Sequence, residues 1–291
     1  MRIGALVPNS GRWPLELGIP RMAATLEEAG FDSLWVSDHI VLPQEIVSRY
    51  PFADDGRATW PTDTPYFDAL IAMALIAGAT SRATIGTAVL VLPLRHPIVF
   101  AKQAASLDRA SGGRLRLGVG AGWLEEEFIA LDVPFADRNG RLVEWIAIAR
   151  DCWTGTPAAR TTDRYTLPAG TLCLPTPESP IPFLVGGHSP TALRRAGRLA
   201  DGWLGQQSLD ALDPMALANA GRAMRDAAVD AGRAPAALQV VLRVVDSAGR
   251  PDDVAAAIPA LAAAGVDEII VNVDWEADAG AQFAAMSGTG S

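Results

Sequence analysis

Eight short runs of apolar, β-branched residues recur along the chain, at about 2–7, 33–36, 84–92, 114–120, 183–185, 201–204, 239–245 and 268–273. Stretches with apolar residues at helical spacing separate them, as at Met22, Leu26 and Ala29, where Gly30 closes the pattern. Strict alternation of strand and helix implies a parallel sheet, because only a crossover of that length returns the chain to pair in the same direction. Eight such units in 291 residues favour closure into a barrel. The expected fold class is therefore α/β, a TIM (β/α)8 barrel, with 1–291 as a single domain. An open doubly wound sheet is the alternative, but no GxGxxG opens a helix after the first strand.

The most informative unit is 83–123, ATIGTAVLVLPLRHPIVFAKQAASLDRASGGRLRLGVGAGW. Residues 84–92 lack alternation, as expected of a strand covered on both faces. Pro97 suits a first helical position; Phe100, Ala104 and Leu107 share one helical face, and Gly112 and Gly113 end it. In the next strand Leu115, Leu117 and Val119 point one way and Arg116, Gly118 and Gly120 the other. Glycines on an inward face could let a ring system approach the backbone; close strand packing is the competing explanation.

Two long interruptions break the rhythm, one after the second strand (40–67) and one before the fifth (155–182). The first carries Pro43, Pro51, Pro61 and Pro65 with Tyr50, Trp60, Tyr66 and Phe67, and a loop of that length in a compact fold usually serves function. The second reads as an excursion containing a short hairpin. Asp252 or a neighbour is expected to cap the helix that follows the seventh strand, and Pro259 to kink it. The Gly-Ser tail, about 286–291, is expected to fray.

A net charge of −9 argues against nucleic acid, which needs a clustered basic surface. Cys152 and Cys173 show no CxxC spacing and are expected to be reduced. The three histidines sit on separate units, so no metal site is expected. The start of the chain lacks a basic-apolar-small leader, and its longest apolar run is too short for a bilayer. The expectation is a soluble cytoplasmic protein with a small-molecule substrate and neither a nucleic-acid nor a membrane partner.

In a barrel, functional groups gather at the carboxyl ends of strands. Three unusual clusters fall there: Asp38-His39, Gly120-Ala121-Gly122-Trp123 and Gly186-Gly187-His188-Ser189. His39 is a candidate proton donor or acceptor, with a structural histidine satisfied by Asp38 as the plain alternative. The Gly186–Ser189 turn precedes a helix whose unpaired N–H groups favour an anion such as phosphate, although a capped turn would look the same. Glu125, Glu126 and Glu127 read as a solvated helix start.

The segments VSDH (36–39), GTAVLVLPLRHP (86–97) and DRASGGRLRLGVGAGW (108–123) resemble the bacterial luciferase-like superfamily, and within it the oxidoreductases that use the deazaflavin coenzyme F420. The segments EEEF (125–128), FADRNGRLVE (135–144) and AGRLADGW (196–203) extend the likeness over nearly the whole chain. The resemblance implies a bacterial luciferase-like barrel holding a flavin or deazaflavin at its carboxyl face, and often a homodimer. Matched residue by residue, it implies Asp38 and His39 beside the ring as catalytic candidates, with Asp38 also contacting the cofactor. It further implies a non-proline cis peptide and bulge at Ala88-Val89 behind the ring. Ala121, Gly122 and Trp123 would line the site, and Gly186, Gly187 and His188 would meet the phosphate end.

Two departures narrow the expectation. Bacterial luciferase has an arginine for the FMN phosphate where this chain has Ala121, and the F420-dependent sugar-phosphate dehydrogenases have a catalytic glutamate where it has Trp123. The expected activity is hydride transfer between coenzyme F420 and a small organic substrate in a more apolar pocket. An FMN-dependent monooxygenase is the alternative, and a flavin-binding barrel without catalysis a third.

Overall fold

The computed structural model describes residues 1–53, 55–58 and 61–288. Trp60 and the last three residues, on which two of the expectations above fall, lie outside the described residues. The strands are β1 (Arg2–Leu6), β2 (Ser33–Val36), β3 (Thr84–Val91), β4 (Leu115–Gly120), β5 (Arg160–Thr161), β6 (Thr166–Leu167), β7 (Phe183–Gly186), β8 (Gly202–Ser208), β9 (Gln239–Val245) and β10 (Glu268–Val271). The α-helices are α1 (Trp13–Glu16), α2 (Ile19–Ala29), α3 (Ala69–Ala79), α4 (Pro97–Ser111), α5 (Glu125–Ala130), α6 (Arg138–Cys152), α7 (Pro190–Leu199), α8 (Pro214–Asp230), α9 (Pro251–Ala263) and α10 (Ala279–Ser287).

All strands but β5 and β6 join side by side into a closed parallel barrel, in the order β1-β2-β3-β4-β7-β8-β9-β10 with β10 returning to β1. β5 and β6 form the hairpin expected in the second excursion. The eightfold barrel and its two insertions are thus as the sequence implies.

Each barrel strand sorts its residues between two cores. Leu6, Trp35, Ala88, Leu184, Leu204, Val241 and Ile270 fill the inside, while Ile85, Leu117, Val119, Phe183, Val185 and Leu242 face the helical ring. The amino-terminal end is sealed by a polar plug: buried Glu268 takes hydrogen bonds from Ser33 Oγ at 2.5 Å and Trp35 Nε1 at 3.1 Å and pairs with Arg116. Closing that end leaves the carboxyl end as the place for a cavity.

Local departures from expectation have local causes. β8 continues past Leu204 to Ser208, because Gln206, Gln207 and Ser208 stay in register with Arg243, Val244 and Val245 of β9. Arg250, not Asp252, holds the N-cap of α9, since Pro251 takes the first helical position where its missing N–H costs nothing. α9 also runs from Pro251 to Ala263 with Pro259, which is exposed, inside it. α10 persists to Ser287 with Met286 buried, and Gly288 closes it in a left-handed conformation. Among the described residues no helix is long and apolar enough to cross a membrane.

Candidate active site

At the carboxyl end of the barrel lies a cavity of about 450 Å³, a size ordinary for a small-molecule or cofactor site. Asp38, His39, Ala88, Val89, Ala121, Gly122, Trp123, Gly186 and Gly187 all line it. These residues come from the ends of four adjacent strands, β2, β3, β4 and β7. Their convergence follows from register alone, because parallel strands end together at one rim.

The Ala88-Val89 peptide is cis, and the ladder between β3 and β4 shifts between Thr87 and Leu90. The two valine methyls of the bulge point into space left by glycines: a Cβ on Gly120 would stand 2.8 Å from Val89 Cγ2, and one on Gly186 2.9 Å from Val89 Cγ1. Those glycines therefore make room for Val89 rather than opening the backbone to a ring directly. Gly118 is close strand packing, since its Cβ would lie 2.0 Å from Thr87 O.

Asp38 lines the cavity and is also tied into its wall. Its carboxylate is buried and receives Arg95 on both oxygens, Nη1 at 2.7 Å and Nη2 at 2.8 Å, together with Val91 N–H at 2.8 Å. Three of the roughly four acceptor positions of the carboxylate are used in this way, so Asp38 ties the end of β2 to the end of β3.

His39 is held differently. Its Nδ1 lies 3.1 Å from Glu127 Oε2, and its ring meets Tyr66 and Trp123 edge-on at 5.6 and 6.1 Å between centroids. Glu127 is 1% exposed and also accepts Ile40 and Val41 N–H. A carboxylate already accepting two N–H groups calls for a third donor, which assigns the ring proton to Nδ1 and the lone pair to Nε2 on the opposite side. The solvated reading of the glutamate run is thus corrected: α5 turns Glu127 inward beneath the β2 exit, and Glu126 accepts Val47 and Ser48 N–H at 2.6 and 2.8 Å.

Those bonds pin the first insertion over the cavity. Tyr50, Pro51, Phe52, Thr64 and Tyr66 line its wall, with Tyr50 against Trp123 at 5.1 Å and Phe52 against His188 at 5.7 Å. Tyr66 donates to Ser37 Oγ, and burial pushes its hydroxyl up to about 12. Asn9, itself buried, receives Ser37 N–H at 3.1 Å and donates to the carbonyls of Ser37 and Phe67 at 2.9 Å each.

His188 is the one expected residue that is not brought into the cavity wall. Its Nε2 accepts Gln206 N–H at 2.9 Å between the rings of Phe52 and Trp203, and its pKa is held below the ordinary value by the crowding. At the same rim Ser189 caps α7 by accepting Ala192 N–H, and Arg195 donates to Asn139 at 2.8 Å. Among the described residues no group of His, Cys, Asp and Glu is arranged to hold a metal.

The sequence reading missed Glu127, Arg195 and Arg243. Arg243 is a lone cation in the apolar run QVVLRVV, two residues after inward-facing Val241, and that alternation places it inside.

The luciferase-like monooxygenase family profile matches residues 18–284. The chain belongs to this family. Of curated relatives of this luciferase-like chain, an uncharacterised protein of Mycobacterium tuberculosis is 39% identical over 183 residues, 63% of each chain. The F420-dependent glucose-6-phosphate dehydrogenase of Nakamurella multipartita is 33% identical over 186 residues, 63% of this chain and 50% of that enzyme. The match spans less than two thirds of the length of either relative. Among solved structures, an F420-dependent secondary alcohol dehydrogenase in complex with an F420-acetone adduct shares the fold, with a TM-score of 0.77 at 19% identity over 98% of this chain and 97% of that one.

Proposed function

We propose that the protein is an oxidoreductase that binds a flavin-type ring in the carboxyl-end cavity, and specifically one that transfers hydride between coenzyme F420 and a small organic substrate. The observation that carries this reading is the convergence of His39, the Ala88-Val89 bulge, Gly122-Trp123 and Gly186-Gly187 on one cavity. The deazaflavin supplies a hydride when bound. The chain's own part is to seat the ring over the bulge, to meet a phosphate at the Gly187 turn and the start of α7, and to keep water out with Tyr50 and Phe52.

His39 Nε2 holds or releases the proton that accompanies reduction of a carbonyl or oxidation of an alcohol, while Glu127 fixes the tautomer that makes Nε2 the basic atom. Ala121 leaves the phosphate end without the arginine that bacterial luciferase would supply there, which favours F420 over FMN. Titrating the purified protein with F420 and with FMN, followed by absorbance, tests the reading. Tight F420 binding with turnover of small alcohols or carbonyls is expected; tight FMN binding with oxygen-dependent turnover overturns it. Binding of a ring without turnover of any substrate in a broad panel would leave a non-catalytic barrel.

A homodimer is part of the same proposal. The outward face of α3 carries Ile71, Ala74, Leu75 and Gly78, all exposed and none polar, and a second copy would cover it.

A further inference from the structure

Arg138 opens α6 with the wrong sign of charge. The first turn of a helix presents unpaired N–H groups and the positive end of the dipole, so a cation there is unfavourable and calls for a task that offsets it. That turn of α6 holds no acidic residue. The guanidinium bends back toward the exit of β4 instead: Nε donates to Gly122 O at 3.2 Å and Nη1 to Phe135 O at 3.0 Å. The group sits over the ring of Phe135, 3.7 Å from its centroid.

Gly122 O belongs to the peptide plane that joins Gly122 to Trp123. Because that plane is rigid, a bond on its oxygen restrains the direction in which the Trp123 side chain leaves the chain. The restraint matters here, since Gly122 has φ of +87° and a glycine can rotate more freely than any other residue. Trp123 stands edge-on to Tyr50 and His39, at 5.1 and 6.1 Å between centroids. Phe128 completes the support: its ring meets Phe135 at 5.2 Å and fills the place where a Cβ on Gly122 would be. Gly122 and Trp123 line the cavity, whereas Arg138, Phe128 and Phe135 stand behind its wall.

We infer that Arg138 is a positioning residue: by holding the Gly122-Trp123 peptide it aims Trp123 at His39 and Tyr50, and so shapes the wall against which a ring or a substrate lies. Two carbonyls on different segments, with an aromatic face beside them, suit the planar fork of an arginine; a lysine ammonium reaches as a single point and cannot lie flat on the ring. The inference rests on the proposed function only in the second of the two measurements that test it, which uses F420.

The first measurement needs no ligand. Subtracting the near-ultraviolet circular dichroism of Trp123→Ala from that of the wild type defines the signal that Trp123 contributes. Arg138→Gln, which cannot span both carbonyls, is expected to lose at least about half of that signal with its far-ultraviolet spectrum unchanged. Arg138→Lys is expected to lose a smaller part, and it carries the test if the glutamine variant fails to fold. A signal that survives intact in the folded variant overturns the inference. The second measurement is a double-mutant cycle on F420 affinity, read by absorbance titration. Arg138→Gln is expected to weaken F420 by at least about fivefold in the wild-type background and by less than about twofold in Trp123→Ala, where the arginine has no side chain left to aim. Equal losses in the two backgrounds overturn the inference, since Arg138 would then act on the ring by another route. A protein that binds no F420 in any of these forms would defeat the proposed function, while the dichroism still decides this inference.

Discussion

The guanidinium of Arg95 lies flat against the carboxylate of Asp38, with two parallel bonds of 2.7 and 2.8 Å between side chains that are 9% and 0% exposed. The pair joins the exit of β2 to the short turn after β3, and so fixes the spacing between His39 and the Ala88-Val89 bulge. Removing one member of a buried pair leaves the other uncompensated, at a cost of about 3 kcal/mol or more. Asp68, 3.3 Å from Arg95 but half-exposed, offsets part of that. Asp38→Asn is therefore expected to lower stability by about 2 to 3 kcal/mol, read from the urea midpoint. An unchanged midpoint would return the carboxylate to a purely chemical part.

The contact between His39 and Glu127 makes a kinetic prediction. If Nε2 moves the proton, His39→Asn should lower kcat by about two orders of magnitude or more with little change in KM. Glu127→Gln keeps the size of the side chain but can present an N–H to Nδ1, which would favour the wrong tautomer. Its kcat is expected to fall by about tenfold or more, again without a matching change in KM. A Glu127→Gln variant as active as the wild type would show that the glutamate serves only the backbone of Ile40 and Val41.

What the sequence made legible, and what it did not, divides by distance along the chain. The strands were readable because burial on both faces demands apolar runs, and the glycine turns because their left-handed or crowded backbones exclude other residues. Asp38, His39 and Gly186-Gly187 could be placed at the rim for the same reason, since they directly follow such runs. Glu127 could not, because three consecutive glutamates at a helix start look solvated until α5 is seen to pack against the β2 exit, 88 residues away. The orientation of His188 was likewise unreadable: Phe52, Trp203 and Gln206 settle it from two other segments. The partner of Asp38 was unreadable for the same reason, as Arg95 belongs to the next unit.

Tyr66 predicts an alkaline transition. Burial raises its pKa from 10.0 to about 12, so it remains a phenol, and a donor to Ser37, across the physiological range. Between those two values the unfolded chain loses a proton that the folded chain keeps, so stability should fall as pH rises from 10.0 to about 12. The loss would be at most about 2 to 3 kcal/mol. Tyr66→Phe should remove that segment of the stability curve, and should delete a step near pH 12 from the absorbance titration at alkaline pH. A phenolate that titrates with the ordinary residues would contradict the buried placement.

The apolar face of α3 predicts an assembly. Ile71 is 58% and Leu75 39% exposed, on a helix whose sequence, ALIAMALIAGA, has no polar residue to present to water. The protein is expected to be a dimer by light scattering, and Ile71→Glu with Leu75→Glu to make it a monomer with the same far-ultraviolet spectrum. A wild-type monomer would remove α3 as an interface.

The glycines around Val89 separate fold from site. At Gly122 the backbone has φ of +87°, and a Cβ would stand 2.7 Å from both Val91 and the fully buried ring of Phe128. Gly122→Ala combines a strained conformation with overpacking and should cost more than about 2 kcal/mol. At Gly120 the only contact closer than 3 Å is with one methyl of Val89, a side chain that lines the cavity and can turn into it. Gly120→Ala should therefore cost about 1 kcal/mol in stability yet shrink the space in which a ring would lie. Its F420 affinity is expected to fall by at least about tenfold, a change larger than its loss of stability alone would suggest. If Gly120→Ala bound F420 as the wild type does, the ring would not lie against the Val89 bulge, and the seat proposed for it would have to move along the rim.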